Sequence, residues 1–142
     1  MNEKKIKNLL ADNKLRKTNI RTEVLNIFLN TGCALSYFDI KKKLNGDFDK
    51  VTVYRTIHKF LEKKLIHEVP SPSSRQMYAY SNCNGEVKNN NHAHFICKEC
   101  GNVFCLKDVS LNNIKLPVEH NVDAINVTVN GVCATCRMDN KA

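Results

Sequence analysis

The sequence predicts an α+β fold in two parts, from three observations. Apolar residues recur at helical spacing in the first half of the chain and at strand spacing in the second. The net charge of +8 is carried by one half: residues 1–82 hold 16 Lys and Arg against 8 Asp and Glu, whereas residues 83–142 hold 6 against 6. Two C-x2-C knuckles, Cys97-Lys98-Glu99-Cys100 and Cys133-Ala134-Thr135-Cys136, stand in the neutral half with 32 residues between them. The expected organisation is a winged-helix domain over 1–82, a hinge over 83–91, and a C-terminal α/β dimerisation and metal-binding domain over 92–142.

Residues 3–13 place Ile6, Leu9 and Leu10 on one helix face with Lys4, Lys5 and Lys7 outward. Lys14-Leu15-Arg16-Lys17 is a basic joint. Thr18 is a suitable N-cap for a second helix, whose apolar positions are Ile20, Val24, Ile27 and Phe28, and Gly32 stops it. Ser36-Tyr37-Phe38-Asp39 spells a capping box that opens a third helix, with Tyr37, Ile40 and Leu44 inward. Asp49 caps a fourth, from Lys50 to about Lys64. Val53, Ile57, Phe60 and Leu61 form its inner face, Thr52, Arg55, His58, Lys59 and Glu62 its outer face, and Tyr54 its flank. Leu65–Val69 and Gln76–Tyr80 read as strands around a Pro70-Ser71-Pro72-Ser73-Ser74 turn. Three short helices, a longer one and a hairpin make a winged helix. In such a fold one helix enters the major groove of double-stranded DNA and the hairpin touches the flanking backbone, which suits a basic surface.

The polar stretch Ser81 to Asn91 contains the hinge. Beyond it strands are expected over His94–Cys97, Asn102–Leu106 and Val122–Val132, with a short helix over about 107–113. This module of roughly 60 residues has little core, and small domains of that size commonly need a metal or a second chain. A homodimer built on its strands is therefore expected.

No apolar run approaches the roughly 18 residues that span a bilayer, and Met1-Asn2-Glu3-Lys4-Lys5 lacks the apolar core of a secretion signal, so no membrane is expected as a partner. A cytoplasmic location keeps thiols reduced. Seven cysteines there point to metal or redox chemistry rather than a disulfide framework. Within the fourteen residues from His92 to Cys105 stand two histidines and three cysteines, the side chains best suited to divalent transition metals. Four thiolates in two knuckles suit one tetrahedral zinc, with Cys97, Cys100, Cys133 and Cys136 as its ligands. His92 and His94, alternate residues of a strand, project from one face as a chelate requires. Cys33 reads as a small apolar packing residue.

Val51-Thr52-Val53-Tyr54-Arg55-Thr56, His92-x-His94-Phe95-Ile96-Cys97-x-x-Cys100-Gly101 and Gly131-x-Cys133-x-x-Cys136 together resemble the Fur family of metal-responsive bacterial transcription regulators, over nearly the whole chain. The resemblance implies a winged helix, a hinge and a dimerisation domain whose four cysteines hold structural zinc. By position Tyr54 and Arg55 match the family's DNA-contacting pair, and Arg16 matches a basic residue reaching the minor groove; Thr52 and Lys59 share the outer face of the same helix. His92 and His94 match the two histidines of a regulatory site at the hinge. Cys105 stands where many members carry a glutamate ligand, Ala93 where many carry an aspartate, and Ile125 where many carry a histidine. The losses at 93 and 125 imply that an additional site of some members is absent. Cys83 resembles a cysteine of the zinc-responsive branch, with Glu86 as its substitute, so the regulatory set becomes Cys83, His92, His94 and Cys105.

Two imidazoles and two thiolates favour tetrahedral zinc over octahedral iron or manganese. The reading is a homodimeric zinc-responsive repressor of metal-uptake genes that binds an operator and takes no small organic substrate. The alternatives are an iron or peroxide sensor of the same family, a thiol redox switch, and a zinc enzyme. The last lacks the glutamate that a deaminase-like site places beside its zinc-binding histidine, since Ala93 and Phe95 flank His94.

Overall fold

The side chains of Thr18, Ser36 and Asp49 begin three successive helices of the computed structural model by accepting hydrogen bonds from the backbone N–H groups of Arg21, Asp39 and Thr52. The structure describes residues 2–69, 71, 74–81, 93–106, 115–117, 119–121, 125 and 127–139. In chain order the elements are α1 (Glu3–Asp12), α2 (Asn19–Asn30), β1 (Leu35–Ser36), α3 (Tyr37–Lys43), α4 (Lys50–Glu62), β2 (Ile66–Val69), β3 (Met77–Tyr80), β4 (Ala93–Cys97), β5 (Val103–Leu106), β6 (Val127–Gly131) and α5 (Ala134–Asp139). The expected hinge, with Cys83, Glu86 and His92, lies outside the described residues, as does the helix expected over 107–113. No helix among the described residues is long and apolar enough to cross a membrane.

The capping box at α3 is complete: Ser36 Oγ accepts from Asp39 N–H, and an Asp39 carboxylate oxygen accepts from Ser36 N–H at 2.9 Å. Ser36→Ala is expected to lower the unfolding free energy by about 1–2 kcal/mol, read as a shift in the denaturation midpoint. Helices α1 and α4 both close on a lysine with positive φ, Lys14 and Lys64. In each case the following N–H reaches back to close the last turn, Leu15 to the Leu10 carbonyl and Leu65 to the Phe60 carbonyl. That reversal ends α4 at Glu62, two residues before the expected Lys64.

The core of this half follows the helical period. Val53, Ile57 and Phe60 of α4 are fully buried with Val24 and Leu25 of α2, Ile40 of α3, and Ile6 and Leu10 of α1. Strands β1, β3 and β2 form an antiparallel sheet in that order. The two-residue β1 was not expected, because it exists only through pairing with β3, Leu35 opposite Tyr78 and Ser36 opposite Met77. With it the expected hairpin becomes a three-stranded wing.

The second sheet has the order β5-β4-β6, with β5 antiparallel and β6 parallel to β4. Of the strand expected over Val122–Val132, β6 covers Val127–Gly131, Ile125 and Val132 stand outside it, and residues 122–124 and 126 lie outside the described residues. A short helix, α5, begins within the second knuckle and carries Cys136, and it has no fully buried side chain, which explains why no apolar period announces it. The two sheets meet. Ala34, Val69 and Ala79 of the winged helix pack with Ile96 and Val103 of β4 and β5, and the Ala34 N–H donates to the Val103 carbonyl at 2.7 Å. This small apolar seam puts β2 of the wing beside the start of β4.

Candidate metal centres and nucleic-acid face

Parallel pairing of β4 with β6 sets Cys97 opposite Gly131, and so delivers both cysteine knuckles to one end of the sheet. The first knuckle turns back on itself at Gly101, whose φ of 76° is accessible chiefly to glycine; the Gly101 N–H donates to the Cys97 carbonyl at 2.9 Å. The sulfurs of Cys97, Cys100, Cys133 and Cys136 all lie within 4.8 Å of one another. Cys100 Sγ and Cys133 Sγ are 3.8 Å apart, and a tetrahedron with metal–sulfur bonds of about 2.3 Å has an edge of about 3.8 Å. The backbone N–H groups of Cys100 and Cys133, the latter 3.3 Å from Cys97 Sγ, hold the Cys97 thiol down at about 6. Cys136 is pushed up to about 12, first by the neighbouring Cys133 thiol and then by burial. One sulfur is thus a ready thiolate, and full ionisation of the group calls for a cation. The four donors fit zinc in chemistry and spacing.

The second cluster differs from the expected one. His94 and Cys105 face each other directly across β4 and β5, where cross-strand neighbours on one face come close. The third donor is His67 of β2, a residue for which no metal role was expected. Its Nε2 lies 3.5 Å from Cys105 Sγ, and its ring centroid 6.0 Å from that of His94. A nitrogen and a sulfur on one tetrahedral zinc stand about 3.6 Å apart, given bond lengths of about 2.05 and 2.3 Å. His94 is buried, whereas His67 and Cys105 are half-buried. The expected set of Cys83, His92, His94 and Cys105 therefore has two members together, with Cys83 and His92 outside the described residues. Local spacing gave no sign of His67: it sits on a wing strand 38 positions before Cys105, and the seam between the sheets brings it in.

Cys33 is only half-buried, in the loop before β1, and burial pushes its thiol up. It shares a cavity of about 270 Å³ with Cys105, Lys5 and Tyr80 rather than packing in the core. The loop runs along the seam, which leaves that cysteine at the edge of both cores.

The outer face of α4 carries the expected polar residues. A groove of about 580 Å³ runs between it and the start of α2, lined among others by Thr18, Arg21, Thr52, Arg55, His58 and Lys59. Arg55 and His58 are exposed. Lys59 pairs with Glu62 at 3.4 Å in an exposed setting, where such a pair adds little stability. Tyr54 lies at the flank. Its ring stacks on Tyr37 at 4.4 Å and 3°, its body rests against the core, and the Lys50 ammonium lies 5.8 Å from its centroid. Arg16 is exposed in the basic joint, and Arg21, from the first turn of α2, donates to its carbonyl at 2.8 Å. Arg21 was not singled out from the sequence, although its position three residues after the Thr18 cap placed it there.

Residues 12–131 match the ferric uptake regulator family. A ferric uptake regulation protein of Staphylococcus epidermidis is 27% identical over 139 residues, covering 91% of this chain and 92% of the relative. One of Staphylococcus aureus is 25% identical over 139 residues, covering 91% and 93%. Among solved structures, a zinc uptake regulator complexed with zinc and DNA superposes with a TM-score of 0.65 at 20% identity, covering 98% of this chain and 95% of that one. The Vibrio cholerae ferric uptake regulator gives 0.62 at 20% identity, covering 89% and 98%. These structural likenesses carry the α+β fold, and the sequence match over most of the chain carries the kinship. The chain belongs to the ferric uptake regulator family, whose members are metal-responsive transcription regulators and not enzymes.

Proposed function

We propose that this chain is a homodimeric, zinc-responsive repressor that binds double-stranded operator DNA in the cytoplasm, of the zinc uptake branch of its family. The observation that carries this reading is the 3.5 Å approach of His67 Nε2 to Cys105 Sγ, with His94 in the same cluster. Two imidazoles and one thiolate form a soft donor set with no carboxylate among the described ligands, which favours zinc over iron or manganese. Cys83 or His92 supplies the fourth donor. Cys97, Cys100, Cys133 and Cys136 hold a second, structural zinc. The domain division is 1–82, 83–91 and 92–142.

His67 belongs to the winged helix, while His94 and Cys105 belong to the dimerisation sheet. A bound ion supplies a cross-link between the two. With their donors held together, the two winged helices of a dimer spend more time at the spacing of successive major grooves, and operator affinity rises. The exposed edge strand β6, with Thr128, Val129 and Asn130 open to solvent, is the pairing surface for the second subunit.

Arg16, Thr52, Tyr54, Arg55 and Lys59 make the DNA contacts. Arg55→Ala is expected to cost about 1–3 kcal/mol of specific binding and to relax base preference at one position of the operator. Lys59→Ala is expected to weaken all sequences alike and to reduce the salt slope by about one. Binding measured over a series of salt concentrations separates the two effects. The effector is tested by titrating DNA binding against zinc, iron(II) and manganese(II) at fixed salt. Tight operator binding with iron or manganese at concentrations where zinc is inert refutes the zinc reading and supports an iron sensor of the same family.

A further inference from the structure

Ser81 is the first residue after β3, where the chain leaves the wing. Its N–H donates to the Leu65 carbonyl at 2.9 Å, which holds it beside the start of β2. Its Oγ lies 2.9 Å from His67 Nδ1, on the far side of the ring from Cys105. A neutral imidazole carries one hydrogen, and only its other nitrogen has a lone pair for a metal. If Nδ1 bears the hydrogen and donates to Ser81 Oγ, Nε2 is the basic nitrogen and faces Cys105 Sγ and His94. The hydrogen-bond polarity is then consistent along the chain. A thiol has a hydrogen to give, Nε2 accepts it, Nδ1–H donates, and the serine oxygen accepts.

We propose that Ser81 is a positioning residue for the regulatory metal centre, holding His67 in the Nδ1–H tautomer and fixing its ring so that Nε2 serves as the ligand. The inference rests on the reading of His67, His94 and Cys105 as that centre. Outer hydrogen-bond partners of metal-bound histidines set tautomer and ring orientation, and their loss commonly costs about 10–100-fold in metal affinity. Because Ser81 also begins the polar segment that leads to the second sheet, the same hydroxyl ties the direction of the departing chain to the ligand it orients.

The test uses the full-length protein with the four-cysteine zinc retained, as wild type, Ser81→Ala, Ser81→Thr and His67→Ala. Nitrogen-15 spectra of the histidine rings, recorded with the regulatory site emptied, should show His67 of the wild type and of Ser81→Thr as the Nδ1–H tautomer. Ser81→Ala should show a mixture. Zinc affinity of the regulatory site, measured by competition with a chelator, should fall about 10–100-fold in Ser81→Ala and recover in Ser81→Thr. An Nε2–H tautomer in the wild type overturns the proposal, and so does a Ser81→Ala protein with wild-type tautomer and affinity while His67→Ala binds poorly. If His67→Ala itself leaves zinc affinity unchanged, the metal-centre reading falls, and the role of Ser81 with it.

Discussion

Cys97→Ser is expected to unfold the β5-β4-β6 sheet while the helical half stays folded. The sheet is built from strands of 4 and 5 residues, and α5 has no fully buried side chain, so the described residues offer little apolar burial to set against the ordering entropy of the backbone. Cys97 ends the central strand β4, and its sulfur also accepts the Cys133 N–H, so one substitution removes a metal ligand and a link between the knuckles. Structural zinc in isolated small domains binds with about 10–16 kcal/mol of apparent free energy, as much as the whole stability of a typical domain at about 5–15 kcal/mol. Native-state hydrogen exchange reads the result by residue. The amides of Cys97, Lys98 and Gly101, which are bonded across the knuckles and sheet, should lose protection, while those of the α4 core near Ile57 and Phe60 keep it. Stripping wild-type protein with a strong chelator should give the same pattern. Retained protection in β4 and β6 after complete removal of metal would refute a structural role for zinc at the four cysteines.

The second large effect is expected at the seam. If the proposed switch holds, His67→Ala and Cys105→Ser should each abolish most of the zinc-dependent gain in operator affinity, a loss of about a hundredfold, or roughly 3 kcal/mol, with the protein still folded. In the proposed switch each substitution removes one donor, His67 of the wing sheet or Cys105 of the β5-β4-β6 sheet, so either one should uncouple the two sheets. Affinity without zinc should stay at the wild-type metal-free level. Arg55→Ala lowers binding in both conditions, and that difference separates loss of the switch from loss of DNA contacts. A Cys105→Ser protein with unchanged zinc dependence would show that the regulatory ligands lie elsewhere.

The α+β class and most elements of both halves were legible in the residues. Helix starts depend on groups three positions apart, as at Ser36 and Asp39, and on an apolar period of one element, as at Val53, Ile57 and Phe60. The four-cysteine cluster was equally legible, since two knuckles that can share one ion leave few other arrangements. Elements without a period of their own were not: β1 is defined by its partner β3, and α5 has no buried face.

Strand alternation singled out His94 and the family resemblance singled out Cys105, which the structure brings together; neither carried any information about His67. That histidine meets them because β2 is held in the wing sheet, and the wing sheet docks on β4 and β5 through Ala34, Val69, Ala79, Ile96 and Val103. Periodicity and capping encode forces that act within a few residues. A cluster of donors drawn from two sheets is set by how those sheets pack, and short-range spacing does not record that packing.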